Sequence, residues 1–494
     1  MGVHVEHGSL TAKVRSGVLW NVAREAAQLV LRLGFSVVLA RLLTPREFGL
    51  MGMVGVFTGF AAIFVSLGLG GAIIQRKHLL PEHLSSALSL SLLSAGGLCI
   101  LFFSASGLIA QLYNEPSLKP LIQALSFQFL LSATGLVHSA LLRREMRFKD
   151  LAFIDTAAFV AGNSVAVAAA YLGAGVWSLV LNSLAYAAVN MALLWWRSGW
   201  RPHVGVSKAA VHDLWSYGKH LMGYNALNYW ARNADNYLIG KYCGAADLGA
   251  YNRAYQLMLM ASQQITENVV GVLFPAMSKM QDDVLRFRNA LLKSHRIIAL
   301  FAFPLAAGVS LLAEPLILVL FGPKWKEVIP LIRVLAWTGL GQSLSTQGLV
   351  FNSLGRPDLT FKVGAINSVI FVLSFLCGLP WGAMGVAVAY TAAWWLLVFP
   401  FSWDTAARMM GLRFWHIAWN VRGVMFATLS MLICVMGMDY WLKPLMPIIR
   451  LAVGAFSGSA AYWLVLRVFR IGAYEEAKAV IFPTFYGQHR EHKE

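Results

Sequence analysis

The chain has 494 residues, 58% of them hydrophobic and only 13% charged, with a mean hydropathy of +0.62. Soluble chains carry about 25% charged residues, so this composition excludes a water-soluble body. The formal charge of +17 would suit nucleic acid, but the placement of the basic residues, given below, argues against that partner.

The apolar runs, split at polar punctuation, come in chain order. The stretch 1–16 is polar, and the apolar stretch 17–43 is too long for the core of a secretory signal. It reads as an uncleaved first span, 17–40. A spanning helix needs about 20 mostly apolar residues. The runs that follow are 49–73, 85–112, 119–142, 151–172, 174–196, 214–239, 248–275, 295–321, 328–353, 361–379, 382–403, 415–438 and 447–469. That makes fourteen. Gly173-Ala174-Gly175 joins the fifth and sixth runs as a tight helical hairpin. Gly55-x-x-x-Gly59 in the second run predicts close helix packing. Trp195, Trp196 and Trp200, with Trp394 and Trp395, fit interfacial belts. His138, inside the fourth run, reads as a hydrogen-bonded core residue. Cys99, Cys243, Cys377 and Cys434 lie far apart with no metal or disulfide spacing and read as small buried hydrophobes.

The basic residues set the orientation. With a cytoplasmic N-terminus, the inside segments together with the span ends that border them hold 25 Lys or Arg, and the outside loops with theirs hold 9. This is the positive-inside asymmetry; it accounts for most of the net charge and places both termini inside.

The chain also repeats itself. Leu39–Gly49 reads LARLLTPREFG and Ile239–Gly249 reads IGKYCGAADLG, an offset of 200 that sets Arg41 on Lys241 and Glu47 on Asp247. Pro120-Leu121-Ile122 recurs as Pro330-Leu331-Ile332, and Gly175-Val176 as Gly385-Val386, both at an offset of 210. Each copy holds six spans, an even number, so the copies share one orientation and an axis along the membrane normal. The expected division is an N-terminal lobe at 1–212, a second lobe at 213–404, and two extra helices with a tail at 405–494. Such duplication makes two bundles with a site between them.

Polar residues inside the spans mark the candidate site, because a charge at the bilayer centre costs about 2.5–3.5 kcal/mol on insertion scales and usually faces a cavity. Asn21, Arg24, Glu25, Gln28 and Arg32 fall within an arc of roughly 100° on the first span. Asn225, Asn228, Arg232, Asp235 and Asn236 form a similar stripe on the seventh, with Arg32 and Arg232 again 200 apart. On the eighth, Asn252, Gln256, Gln263 and Glu267 share an arc of about 60°. Such groups can simply pair to lock helix contacts. Three one-sided polar faces instead point to a shared wet cavity. Arginine suits a phosphate-bearing cargo, since its guanidinium is always charged and binds phosphate oxygens in a bidentate fork. The cargo-binding set is therefore Arg24, Arg32, Gln28, Asn21, Arg232, Asn228, Gln256 and Gln263. Glu267 and Asp235 are the candidates for coupling to a proton or sodium gradient; Asp235, three residues from Arg232, could equally form an ion pair with it. No G-x-x-x-x-G-K-[ST], H-E-x-x-H or G-x-S-x-G motif is present, so the sequence offers no phosphate loop, metalloprotease helix or nucleophile elbow. Neither an enzyme nor a resident cofactor is expected.

Several stretches together carry a resemblance: LARLLTPREFGLMGM (39–53), GLGGAIIQR (68–76), LLRREMRFKDLAFID (141–155), GVWSLV (175–180), DNYLIGKYCGAADLGAYNRAYQLM (235–258) and VLFPAMSKMQDD (272–283). Over about residues 15–400 the chain resembles the Wzx-type polysaccharide flippases of the multidrug/oligosaccharidyl-lipid/polysaccharide (MOP) exporter superfamily. The resemblance implies an all-α membrane protein of about 14 transmembrane helices, with two six-helix lobes and two C-terminal helices in a MATE-like V shape, working by alternating access. It implies an undecaprenyl-diphosphate-linked oligosaccharide as cargo, the bacterial inner membrane as location, and polysaccharide polymerase or export machinery as partners beside the lipid bilayer. Three other readings differ in what they require. A MATE-type small-molecule antiporter favouring organic cations would want an acidic cavity, against Arg24, Arg32 and Arg232. A membrane glycosyltransferase or polymerase would need carboxylates on a sizeable outside loop, and the loops here are short. A lipid II flippase shares the superfamily and differs only in the motif set.

Overall fold

The computed structural model describes residues 28–76, 78–202 and 206–481, and every regular element among them is helical. The first helix, α1, covers 28–42. It is followed by α2 (Pro45–Ser66), α3 (Leu69–Gln75), α4 (Pro81–Leu112), α5 (Leu118–Arg144), α6 (Phe148–Tyr171), α7 (Trp177–Ser198), α8 (Lys208–Tyr242) and α9 (Ala245–Ser278). Next come α10 (Val284–Leu311), α11 (Ala313–Leu320), α12 (Val328–Ser343), α13 (Gln347–Ser353), α14 (Pro357–Gly378), α15 (Gly382–Ala393) and α16 (Phe399–Met409). The chain closes with α17 (Phe414–Asn420), α18 (Arg422–Leu442), α19 (Pro447–Val468) and α20 (Gly472–Ile481). Among the described residues nine helical runs are long and apolar enough to cross a membrane. One of them, Pro357–Met409, holds two of the apolar runs read from sequence, so helix length and hydropathy alone do not fix the number of crossings at fourteen. The protein is a multi-pass membrane protein.

The repeat in sequence is a repeat of elements. The pairs α2/α9, α5/α12 and α6/α14 start at Pro45/Ala245, Leu118/Val328 and Phe148/Pro357. The local chemistry explains the starts. At Thr44 the Glu47 carboxylate accepts from the Thr44 amide at 2.6 Å and from its hydroxyl at 2.9 Å, with Pro45 in the first turn. Proline suits that position because its missing N–H would be unpaired there anyway.

The chain forms two compact units. The first comprises 1–47 and 57–226. Its α6 and α7 make the hairpin expected from Gly173-Ala174-Gly175; Gly173 and Gly175 turn at φ +81° and +55°, a region open to glycine at no steric cost. His138 is fully buried against Trp195 and Trp200, with Nδ1 2.6 Å from Ser198 Oγ. It is the hydrogen-bonded core residue the sequence suggested. Trp196, 66% exposed, and Trp195, whose indole donates to Thr134 O at 3.1 Å, have parted roles.

The second unit comprises 48–56 and 227–494. Its core holds the fully buried Trp325, Trp403, Phe287 and Phe351. The short piece Phe48–Val56 belongs here through backbone-to-backbone packing: a Cβ on Gly49 would lie 1.6 Å from Ala245 O, and one on Gly52 2.8 Å from the Asn252 side chain. At Gly55 a Cβ would meet nothing within 4 Å, and the approach there is a hydrogen bond from the Tyr229 hydroxyl to the Gly55 carbonyl at 3.1 Å. The close approach needs a small residue one turn or more earlier, where α2 meets the start of α9.

The two extra helices are fixed at both ends. Arg450 on α19, 7% exposed, donates from Nε and Nη2 to Asp439 at 3.0–3.2 Å and from Nη2 to Glu314 on α11 at 3.3 Å. At the other end Arg296 on α10 forks onto Glu476 of α20, at 2.9 and 2.5 Å, and reaches Asn420 of α17.

Candidate functional site

Each unit carries its own intramembrane polar cluster. In the first, Gln28 Nε2 donates to Thr156 Oγ1 at 2.9 Å, while Thr156 returns its own hydroxyl to Ala152 O at 2.8 Å. That tie, with the edge-to-face pair Phe35 and Phe159 at 5.9 Å, sets α1 against α6. Arg32, one helical turn beyond Gln28, is exposed. Asn21, Arg24 and Glu25 lie outside the described residues.

Sequence reasoning missed the other half of this cluster. Asn182, Tyr186 and Asn190 recur at i, i+4 and i+8 on α7 and so share an arc of about 80°. They face α6, where Asn182 Nδ2 donates to Asn163 Oδ1 at 3.2 Å and Asn190 Nδ2 to Asp155 Oδ1 at 3.3 Å. The Tyr186 side chain also hydrogen-bonds Asp155. Close approach makes this ladder possible: a Cβ on Gly162 would lie 2.9 Å from Asn182 O and 3.1 Å from Tyr186 Cβ. The spacing on α7 was the available signal. Asp155 is exposed.

In the second unit Asn225, Asn228 and Arg232 are exposed, whereas Asp235 is only 5% exposed. The spacing that set Asp235 beside Arg232 suggested an ion pair. The carboxylate instead accepts from Tyr251 OH at 3.1 Å and from the Asn236 amide at 2.8 Å. Tyr251 stacks on Tyr255 with ring centres 6.0 Å apart, Tyr255 lies 6.3 Å from Tyr390, and Gln342 Nε2 donates to Tyr390 OH at 2.8 Å. Tyr251 and Tyr255, four apart in a motif already singled out, were legible as one face; Tyr390 and Gln342 come from distant helices and were not. Gln256 is exposed and accepts from Arg253 at 3.2 Å. Arg253 lies over the Phe48 ring at 3.9 Å, a cation–π contact. The side chains of Gln263 and Glu267 lie outside the described residues.

The second unit also contains a cleft of about 860 Å³ along α10, α18 and α19, bordered by Phe301, Leu305, Leu316, Leu451, Ala455 and Trp463. Its walls are almost wholly apolar. It can take a hydrocarbon chain.

The chain matches the family described as polysaccharide biosynthesis protein over residues 38–330, and the lipid II flippase MurJ family over 238–456. It is 28% identical over 386 residues to the lipopolysaccharide biosynthesis protein WzxC of Escherichia coli K12, covering 77% of this chain and 78% of that one. It is 26% identical to the teichuronic acid biosynthesis protein TuaB of Bacillus subtilis, covering 78% and 80%. It is 29% identical to the succinoglycan biosynthesis transport protein ExoT of Rhizobium meliloti, covering 72% of each. In fold it is similar to the inward closed lipid II flippase MurJ, with a TM-score of 0.73 at 14% identity over 91% of this chain and 98% of that one. It is also similar to an inward-facing MATE transporter of the MOP superfamily, with a TM-score of 0.60 at 16% identity over 78% and 94%.

Proposed function

We propose, since this chain belongs to the polysaccharide biosynthesis protein family, that it is a flippase moving undecaprenyl-diphosphate-linked oligosaccharide units across the bacterial inner membrane by alternating access. The observation that carries the reading is the pair of exposed arginines, Arg32 on α1 and Arg232 on α8, set 200 residues apart in the repeat. A diphosphate and its sugars would cost tens of kcal/mol in hydrocarbon if unpaired and unsolvated. Guanidinium groups on a hydrated face remove most of that barrier, while the prenyl tail stays in lipid or lies in the apolar cleft along α10 and α19. Arg32→Ala and Arg232→Ala are expected to lower polysaccharide export with insertion and accumulation intact. Lysine restores part of it, keeping the charge without the fork. Wild-type export in both alanine variants overturns the phosphate-binding role.

Both termini are cytoplasmic in this reading. Single cysteines at Arg147, Lys208 and Arg288 are then shielded from a periplasmic thiol reagent in intact cells, and those at Ser117, Asp247 and Lys324 are labelled. The driving force is a cation gradient acting through Asp235 or Glu267. Flipping that keeps its stimulation by a pH or sodium gradient in both Asp235→Asn and Glu267→Gln vesicles excludes coupling through these acids. Polymerase and export machinery are the expected partners. The match of 238–456 to the lipid II flippase family favours lipid II as the second reading. Rescue of cells depleted of their lipid II flippase, with no effect on polysaccharide export, would select it.

A further inference from the structure

The carboxylate of Asp155 has no part in the reading above. It stands in the run LAFIDTAAF, seven residues into α6, and is exposed. This is near the start of the apolar run 151–172, where an exposed carboxylate keeps access to water. Around it the first unit gathers the Asn190 amide at 3.3 Å, the Tyr186 side chain, and the Gln28–Thr156 pair on the adjacent residue. Arg32 follows Gln28 by one turn of α1.

Three ligand chemistries can be weighed. A hard metal cation wants six or more oxygen ligands. Here the groups that reach Asp155 arrive as N–H and O–H donors, and a guanidinium stands near, so the surroundings repel a cation. A phosphate is repelled in turn by the carboxylate itself. A carbohydrate fits both signs: its hydroxyls donate to the remaining lone pairs of Asp155, to the Tyr186 hydroxyl oxygen and to the amide oxygens of Asn190 and Gln28, and accept from the second N–H of each amide. The flat face of Tyr186 adds an apolar surface for a pyranose ring.

We propose that Asp155, Asn190 and Tyr186 form a sugar-hydroxyl-binding subsite in the first unit, distinct from the arginines that take the diphosphate, and that it reads the sugars of the cargo. The proposal rests on the flippase reading only in that the cargo carries a glycan. A site built to hydrogen-bond substrate hydroxyls prefers the carrier that bears them over the one that lacks them.

The test uses the full-length protein in nanodiscs and two probes. One is undecaprenyl diphosphate without sugar; the other is the lipid-linked repeat unit extracted from cells that lack this transporter. Asp155→Asn and Asn190→Ala are expected to weaken binding of the glycan-bearing carrier by about tenfold or more, the range for a lost hydrogen bond to a charged group. Binding of the bare carrier should stay within about twofold. Asp155→Glu, which keeps the acceptor, retains part of the preference, and unchanged thermal unfolding of each variant assigns the loss to the ligand. Equal weakening of both probes, or of neither, overturns the subsite. Arg32→Ala is the separate arm: it weakens both probes alike if the diphosphate reading holds, and its failure to do so sinks that reading while leaving the Asp155 comparison intact.

Discussion

The two units descend from one helix pattern yet treat their intramembrane acids in opposite ways. In the first, Asp155 is exposed and held by an amide at 3.3 Å. In the second, Asp235 is 5% exposed, with donors at 2.8 and 3.1 Å and a stack of tyrosines beyond. A wet carboxylate can exchange partners with a passing hydroxyl at little cost. A buried one is tied to its donors, since an unmet buried group forfeits its full desolvation energy. The second unit is also the one that carries the added helices, clamped by Arg450 and Arg296. Duplication has thus kept helix order and let polar content diverge.

The largest expected effect is on that added structure. Arg450→Leu leaves Asp439 without its buried partner and should cost about 1.5–3 kcal/mol of stability, read as thermal unfolding in detergent. The first unit's counterpart is more exposed: Asp150 on α6 pairs with Arg147 and with Arg197 on α7 at 2.8 and 3.2 Å. A loss below about 1 kcal/mol would show that the hairpin is held by apolar packing instead.

Of similar size is the contrast between two glycines on one helix. Gly49→Ala drives a Cβ into the Ala245 carbonyl, which only a backbone shift relieves, and should cost about 2–3 kcal/mol. Gly55→Ala meets open space and should be neutral or stabilising by about 0.5–1 kcal/mol through the helix preference of alanine. Equal effects would mean that α2 does not pack on the start of α9 as described.

Tyr251→Phe removes a donor from buried Asp235 and should cost about 1–3 kcal/mol. Tyr186→Phe, beside the exposed Asp155, should cost less than about 1 kcal/mol, since water replaces the lost contact. Unfolding midpoints of the two variants that coincide would erase the contrast between the acids.

The smallest effect is one of pH and has opposite signs at two acids near helix ends. The Ser117 hydroxyl and then Arg46 hold the Glu115 carboxyl below its usual range, against partial burial. Its contribution is present above the ordinary carboxylate pKa and fades as pH falls through the lowered one. Asp247, at the start of α9, is pushed up by burial and by Glu327. Its contribution is present below the ordinary carboxylate pKa and fades as pH rises through the raised one. Each surface effect is below about 1 kcal/mol, so acid titration of Glu115→Gln and Asp247→Asn should flatten the stability curve in opposite directions.

The sequence by itself determined the membrane class, the helical elements, the duplication and the hairpin at Gly173–Gly175. These follow from local quantities: apolar length, the hydropathy of each run, and glycines where φ must turn positive. It also marked Gln28 and Arg32 on α1 and Asn225, Asn228 and Arg232 on α8 as polar positions of one face, because a helix fixes angular spacing. What it could not determine is which stripe meets which. Asp235 is three residues from Arg232 and yet pairs with Tyr251, sixteen residues away on another helix. Asn182, Tyr186 and Asn190 gain meaning only once Gly162 lets α6 and α7 close on one another. Gly55 was singled out on spacing, while Gly49 was the residue that a neighbouring carbonyl required to be small. Partnership across helices depends on rotation and separation of whole elements, which packing sets and no local window contains.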